Sequence, residues 1–238
     1  MQIRLIRVLV CRCLFRHHSV LMDKFYRGIR TAYAWACERL YHEFAWSYDS
    51  VSRLVSAGQW QAWRAVAVPL VQGEEVLELG FGTGVLMQEL TEQGHVVTGI
   101  DASTSMVRIA QGRLERRKLD AAITQAIGQA LPFADQSFDT VVATFPAPYI
   151  LEPASLAECA RVLRKERRSR LIIVGLWVAL REARVSRFPL VFYAEPPAGF
   201  TQSVADRLER QGLIAEIEAV PVGWANIGII RARRADVL

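Results

Sequence analysis

From residue 71 onward the chain alternates short apolar runs with amphipathic stretches, the pattern of a parallel sheet covered by helices on both faces. Apolar runs at residues 76–79, 96–100, 122–126, 138–144, 171–177, 215–220 and 226–231 read as seven strands, with 122–126 the weakest. Between them, residues 84–93, 103–117, 153–163 and 201–211 carry apolar positions at helical spacing. The pattern predicts an α/β fold.

Residues 23–69 are also patterned as helix and are rich in aromatics, including Tyr33, Trp35, Tyr41, Trp46, Trp60 and Trp63. Ser47, Tyr48, Asp49 and Ser50 mark a break where a new helix can be capped, and Pro69 and Gly73 end the helical region. Most of the aromatic stripe reads as a face that docks on the sheet; a lid over an apolar ligand is the other reading. Residues 1–22 form a basic leader in which Arg4, Arg7, Arg12 and Arg16 interrupt the apolar positions. Its run from Val8 to Cys11 is too short to span a bilayer, and no cleavage site follows an uninterrupted apolar stretch. The leader reads as a disordered extension, with Met22 as an alternative start, or as a segment on a membrane surface. Three parts are therefore expected: a leader at 1–22, a helical extension or lid at 23–70, and a domain at 71–238.

Composition narrows the class of function. The 238 residues are 52% hydrophobic and 22% charged, as in globular proteins, and are long enough to bury a full core. A net charge of +5 is too small and too dispersed to indicate a nucleic-acid partner. Cys11, Cys13, Cys37 and Cys159 lack the paired spacing of a zinc site or disulfide framework, which fits a reducing cytoplasm. His17, His18, His42 and His95 do not form a metal-binding set, so no metal is expected.

The chemistry is concentrated at Glu78, Leu79, Gly80, Phe81, Gly82, Thr83 and Gly84. Here a buried strand meets a turn whose missing Cβ atoms admit a ligand, and the next helix offers unpaired N–H groups. A dinucleotide turn places glycines first, third and sixth, but here they fall first, third and fifth, with Val85 in the sixth place. That spacing favours an adenosyl amino acid over a nicotinamide cofactor. Asp101, at the tip of the second strand and 21 residues beyond Gly80, can accept hydrogen bonds from both hydroxyls of a ribose.

Together with residues 101–106 and 128–139, residues 78–84 resemble the class I S-adenosylmethionine-dependent methyltransferases. The resemblance runs from about Tyr48 to Val174 and is strongest to the branch (methyltransferase type 11) similar to ubiquinone and menaquinone biosynthesis enzymes. It implies a Rossmann-like, seven-stranded, mostly parallel sheet of order 3-2-1-4-5-7-6, with strand 7 antiparallel. It also implies S-adenosyl-L-methionine as cofactor, and a methyl group transferred to a small-molecule, apolar or lipid-like acceptor. Carried over by position, Gly80, Phe81, Gly82 and Gly84 would line the methionine part, with Glu78 near its amino group and Tyr48 at its carboxylate. Asp101 would hold the ribose, Ala102 and Met106 would flank the adenine, and Gln129 and Ala130 would lie at its edge. Thr144 and Phe145 would sit beside the sulfonium, and Phe145, Pro146 and Tyr149 would wall the acceptor pocket. No catalytic residue is implied, because an activated methyl group chiefly needs an aligned acceptor and a dry site.

Two features depart from the resemblance. Residues 161–170 hold six basic residues where relatives often have Pro-Gly-Gly, and they read as a solvated turn or as an anionic-membrane or nucleic-acid contact. The segment Thr144, Phe145, Pro146, Ala147, Pro148, Tyr149 is out of register with the Asn-Pro-Pro-Tyr element of enzymes that methylate planar amide nitrogens. Competing functions are a non-catalytic cofactor-binding or membrane-associated module and an NAD(P)-dependent oxidoreductase.

Overall fold

A seven-stranded sheet of order β3-β2-β1-β4-β5-β7-β6 organises the structure, a computed structural model that describes residues 48–181 and 196–237. Its strands are β1 (Glu75–Leu79), β2 (Val96–Asp101), β3 (Ala122–Gln125), β4 (Thr140–Thr144), β5 (Arg170–Leu180), β6 (Leu213–Val222) and β7 (Ala225–Arg234). β1 to β5 run parallel, and β7 lies antiparallel between β5 and β6. This is the topology the resemblance implied.

The helices are α1 (Tyr48–Val55), α2 (Trp60–Ala65), α3 (Val85–Glu92), α4 (Thr104–Arg117), α5 (Pro153–Val162) and α6 (Phe200–Glu209). Alternation along the central strands divides the core in two. Val76 of β1 joins Trp63, Leu86, Met87 and Met106 on one face, while Leu77 and Leu79 join Leu156, Cys159 and Leu208 on the other. Trp63 is fully buried, so the described part of the N-terminal extension shares this core. The leader and residues 23–47 lie outside the described residues.

Element boundaries moved where pairing outweighs side-chain pattern. β4 begins at Thr140 because Phe138 makes only an isolated bridge to Leu163. β5 extends to Leu180 through a bulge between Val174 and Val178, where Gly175 has φ +80°. A Cβ on Gly175 would lie 2.4 Å from the Phe145 ring, so the bulge makes room for that side chain.

The basic turn is not simply solvated. Arg161 pairs with Glu158 and Asp135 and donates to the carbonyls of Leu131 and Phe133. Lys165 pairs with Asp236 and Arg168 with Glu166. Arg164 Nη1 lies 2.9 Å from Oδ1 of the buried Asp139. Asp139 Oδ2 in turn accepts from the amides of Glu74 and Glu75 at the entry to β1. Side-chain ion pairs shape this turn in place of glycines.

Candidate functional site

The three glycines of the turn after β1 all have left-handed backbone, with φ of +69° at Gly80, +55° at Gly82 and +73° at Gly84. They serve different ends. A Cβ on Gly84 would fall 2.7 Å from Ala110 Cβ, so this glycine lets α3 and α4 approach. A Cβ on Gly82 would meet nothing within 4 Å, so this stretch of backbone faces open space. The amides of Gly80 and Phe81 both donate to Ile100 O, at 2.8 and 3.3 Å, which fastens the turn to the tip of β2.

Asp101 completes that attachment. Its Oδ2 accepts from Gly82 N at 2.9 Å and its Oδ1 from Ser103 N at 2.8 Å. The turn, the strand tip and the cap of α4 therefore share one buried carboxylate. Asp101, Ala102, Gln129, Pro146 and Tyr149 line a cavity of about 330 Å³ at the carboxyl end of the sheet. That is the end at which open α/β sheets bind ligands, and the volume suits a small molecule.

A smaller pocket of about 40 Å³ adjoins the turn, lined by Asp49, Arg64, Glu78, Gly82, Thr83 and Thr144. Gly80 and Phe145 line both spaces. Glu78 is buried and its Oε2 has no hydrogen-bond partner. Burial pushes its pKa up to about 8; Arg64 and the Met87 amide oppose the rise and Asp101 adds to it. Arg64 reaches Glu89 Oε2 at 3.4 Å through Nη2, while its buried Nε has no partner. The same pocket thus holds a carboxyl and a guanidinium, each with a buried atom that has no hydrogen-bond partner among the described residues.

The loop after β4 forms the far wall. Phe145 has φ +49° and stacks on Trp60 with ring centroids 4.1 Å apart. Tyr149 spans two glycines: a Cβ on Gly80 would lie 2.9 Å from its hydroxyl, and one on Gly128 would lie 2.8 Å from its ring. Burial and the nearby Asp101, Cys159 and Glu78 push the Tyr149 pKa upward, so the phenol keeps its proton.

Most residues singled out from the sequence meet here, though not all. Phe81, Glu78 and Thr144 border the small pocket, and Ala102 and Gln129 the large one. Met106 is fully buried in the core, its amide donating to the capping Ser103 Oγ, and Ala130 is exposed beyond the cavity wall. Tyr48 opens α1, but its side chain lies outside the described residues. Sequence reasoning missed Arg64, Asp49, Ser103 and Ile127, which also line these spaces. Ser103 alone carried a local signal, as a capping residue two positions after Asp101.

Residues 76–166 match the Methyltransferase domain family. The chain is 35% identical over 144 residues to the demethylmenaquinone methyltransferase of Thermotoga maritima, covering 58% of this chain and 60% of that protein. It is 29% identical to the one from Corynebacterium urealyticum, over 76% of this chain and 82% of the relative. With the ubiquinone/menaquinone biosynthesis C-methyltransferase UbiE of Xanthomonas campestris it shares 35% identity, over 53% of each chain. The chain thus spans only about half to three-fifths of the length of several of these relatives. The fold of the chain is similar to that of an S-adenosylmethionine-dependent methyltransferase from Aquifex aeolicus, with a TM-score of 0.57 at 20% identity, over 77% of this chain and 97% of that one.

Proposed function

We propose that this chain is an S-adenosylmethionine-dependent methyltransferase acting on a small, apolar, quinone-like acceptor. The observation that carries the reading is the pair of unsatisfied buried atoms, Glu78 Oε2 and Arg64 Nε, in one pocket beside the glycine turn. A free α-amino acid end presents an ammonium and a carboxylate, the two groups these atoms lack. The larger cavity then takes the nucleoside.

In this reading Asp101 accepts the ribose hydroxyls, since a carboxylate offers about four lone-pair sites and is already held in place by two amides. Ala102, Ile127 and Gln129 would surround the base, with Met106 and Ala130 outside the cavity lining. Gly80 and Gly82 let the backbone approach the amino-acid part, Gly84 seats α3 against α4 beneath them, Phe81 backs the site, and Tyr48, at the start of α1, is assigned to the carboxylate end. When bound, the cofactor supplies an electrophilic methyl group on a sulfonium. Thr144 and Phe145 bound the space in which that group would lie.

The acceptor side rests on Phe145, Pro146, Ala147 and Tyr149, a largely apolar wall that orients a flat ligand and excludes water. Among the described residues of the larger cavity, Asp101 and Tyr149 are the ionisable ones. Relatives named for demethylmenaquinone support a lipophilic quinone-type acceptor. No helix among the described residues is long and apolar enough to cross a membrane. We place the reaction in the cytoplasm with the acceptor drawn from a membrane surface.

Transfer of labelled methyl groups from S-adenosylmethionine to demethylmenaquinone in detergent micelles tests this reading. Methylated quinone is the expected product. Label found only on polar acceptors would overturn the acceptor assignment, and cofactor binding without transfer to any acceptor in a cell extract would overturn the enzymatic one.

A further inference from the structure

At the opposite end of the sheet from the cavity, where β5 begins, a second pocket of about 250 Å³ is lined by Arg167, Ser169, Arg170, Glu216, Arg231 and Arg233. Strand register assembles it. Arg231 and Arg233 stand two positions apart on β7 and so point to one face, and they pair with Glu216 and Ile214 of β6. Arg231 also sits beside Ile172, two residues into β5 from Arg170.

The lining is rich in donors and poor in acceptors. Glu216 and Glu218 both serve Arg231, at 3.4 and 2.9 Å from its Nη2. Arg170 donates to the neutral oxygens of Arg168 and Gln72 and makes no ion pair among the described residues, nor do Arg167 and Arg233. Two buried polar atoms have no hydrogen-bond partner: Oγ of Ser169, a residue 2% exposed, and Nε of Arg231. Buried donors left unsatisfied are costly, and each points to a missing acceptor. Burial and the charge of Arg231 both push the Arg170 pKa down, the mark of guanidiniums crowded without enough counter-charge.

A cation or a neutral apolar ligand would satisfy none of these groups. A tetrahedral oxyanion carries several acceptor oxygens and up to two charges, and guanidinium forks bind it well. We propose that this pocket binds a phosphate group, with Ser169 Oγ and Arg231 Nε as buried donors and Arg167, Arg170 and Arg233 as the neutralising cations. Its source is either free phosphate or the phosphate of an anionic lipid headgroup. The pocket lies at the amino ends of the parallel strands, so it is separate from the cavity beside Asp101.

The test uses the full chain and an R167Q/R233Q variant, whose altered residues are both exposed and without ion pairs among the described residues. Thermal unfolding is followed with inorganic phosphate at constant ionic strength, and co-sedimentation with phosphatidylcholine vesicles with or without phosphatidylglycerol. Phosphate at ten times its Kd should raise the wild-type Tm by about 3–5 °C, and the variant should bind at least about tenfold more weakly. If phosphate has no effect but vesicles with phosphatidylglycerol retain the wild type and not the variant, the headgroup is the source. No response to either probe, or equal responses from both proteins, overturns the proposal. S-adenosylhomocysteine affinity should be the same in both proteins.

Discussion

Thr83, inside the glycine turn, donates its hydroxyl to Asp49 Oδ1 at 2.8 Å. The other oxygen of Asp49 accepts from Arg113 Nη2 at 2.8 Å, and Arg113 Nε returns to the Thr83 carbonyl at 2.8 Å. A three-residue latch therefore joins α1, the turn and α4 over the smaller pocket. Asp49→Ala or Thr83→Val should weaken S-adenosylhomocysteine binding by roughly tenfold while lowering stability by only about 1 kcal/mol, since the pair is partly exposed. Unchanged affinity in calorimetric titration would show that the latch plays no part in the site.

Two adjacent glycines should separate stability from binding. Gly84→Ala forces a Cβ against Ala110 Cβ at 2.7 Å, as well as an unfavourable φ, and should cost about 2 kcal/mol or more. Gly82→Ala meets nothing within 4 Å and should cost only about 1 kcal/mol from its φ, yet it places a methyl group where the ligand would approach. Denaturant unfolding and ligand titration on both variants check the contrast. Equal effects on both quantities would contradict the assigned roles.

Glu78 gives the ligand-free protein a characteristic pH dependence. Its folded pKa of about 8 stands above the ordinary 4.5, so the folded state holds the proton more tightly than the unfolded chain. The stability it contributes is complete below about pH 4.5 and is lost as pH rises towards 8, by on the order of a few kcal/mol. Glu78→Gln should flatten the Tm profile across that interval. Ligand binding near pH 7 should also release a proton in the wild type, seen as a buffer-dependent calorimetric enthalpy, and Glu78→Gln should abolish it.

Asp139 shows the opposite sign. Burial alone would raise its pKa, but hydrogen bonds from the Glu75 amide, Arg164 and the Glu74 amide outweigh it and hold the carboxyl below its ordinary value. The stability this provides is present above about pH 4 and is lost as pH falls through the depressed pKa. Arg164→Ala strands a carboxylate that is 1% exposed, and the partly exposed arginine limits the expected cost to about 1–3 kcal/mol. The variant should also unfold at a higher pH during acid titration; an unchanged acid midpoint would show that Arg164 does not support Asp139.

Strand positions were legible because β4 and β5 centre on apolar runs and β1 on Val76, Leu77 and Leu79, each bounded by polar turns, and the order followed from the resemblance. Gly82 and Asp101 were legible because they lie in the turn after β1 and at the tip of β2, where one backbone position serves one role. Arg64 and Asp49 were not, since nothing near them in sequence shows that α1 and α2 fold over a turn some twenty to thirty residues later. Met106 was assigned beside the adenine; the structure buries its side chain in the core, while its amide donates to Ser103 Oγ. The basic turn misled for a related reason: beside the local pairs of Arg161 with Glu158 and Arg168 with Glu166, its partners Asp135, Asp139 and Asp236 are distant in sequence and left no local signal.

Calorimetric titration of the folded chain with S-adenosylhomocysteine, beside Asp101→Ala, tests the central claim most directly. The account predicts a single site of micromolar or tighter Kd in the wild type, roughly 8 kcal/mol or more of binding free energy, weakened at least about tenfold by Asp101→Ala. Absence of binding by a protein shown to be folded, or equal affinity in the variant, would contradict it.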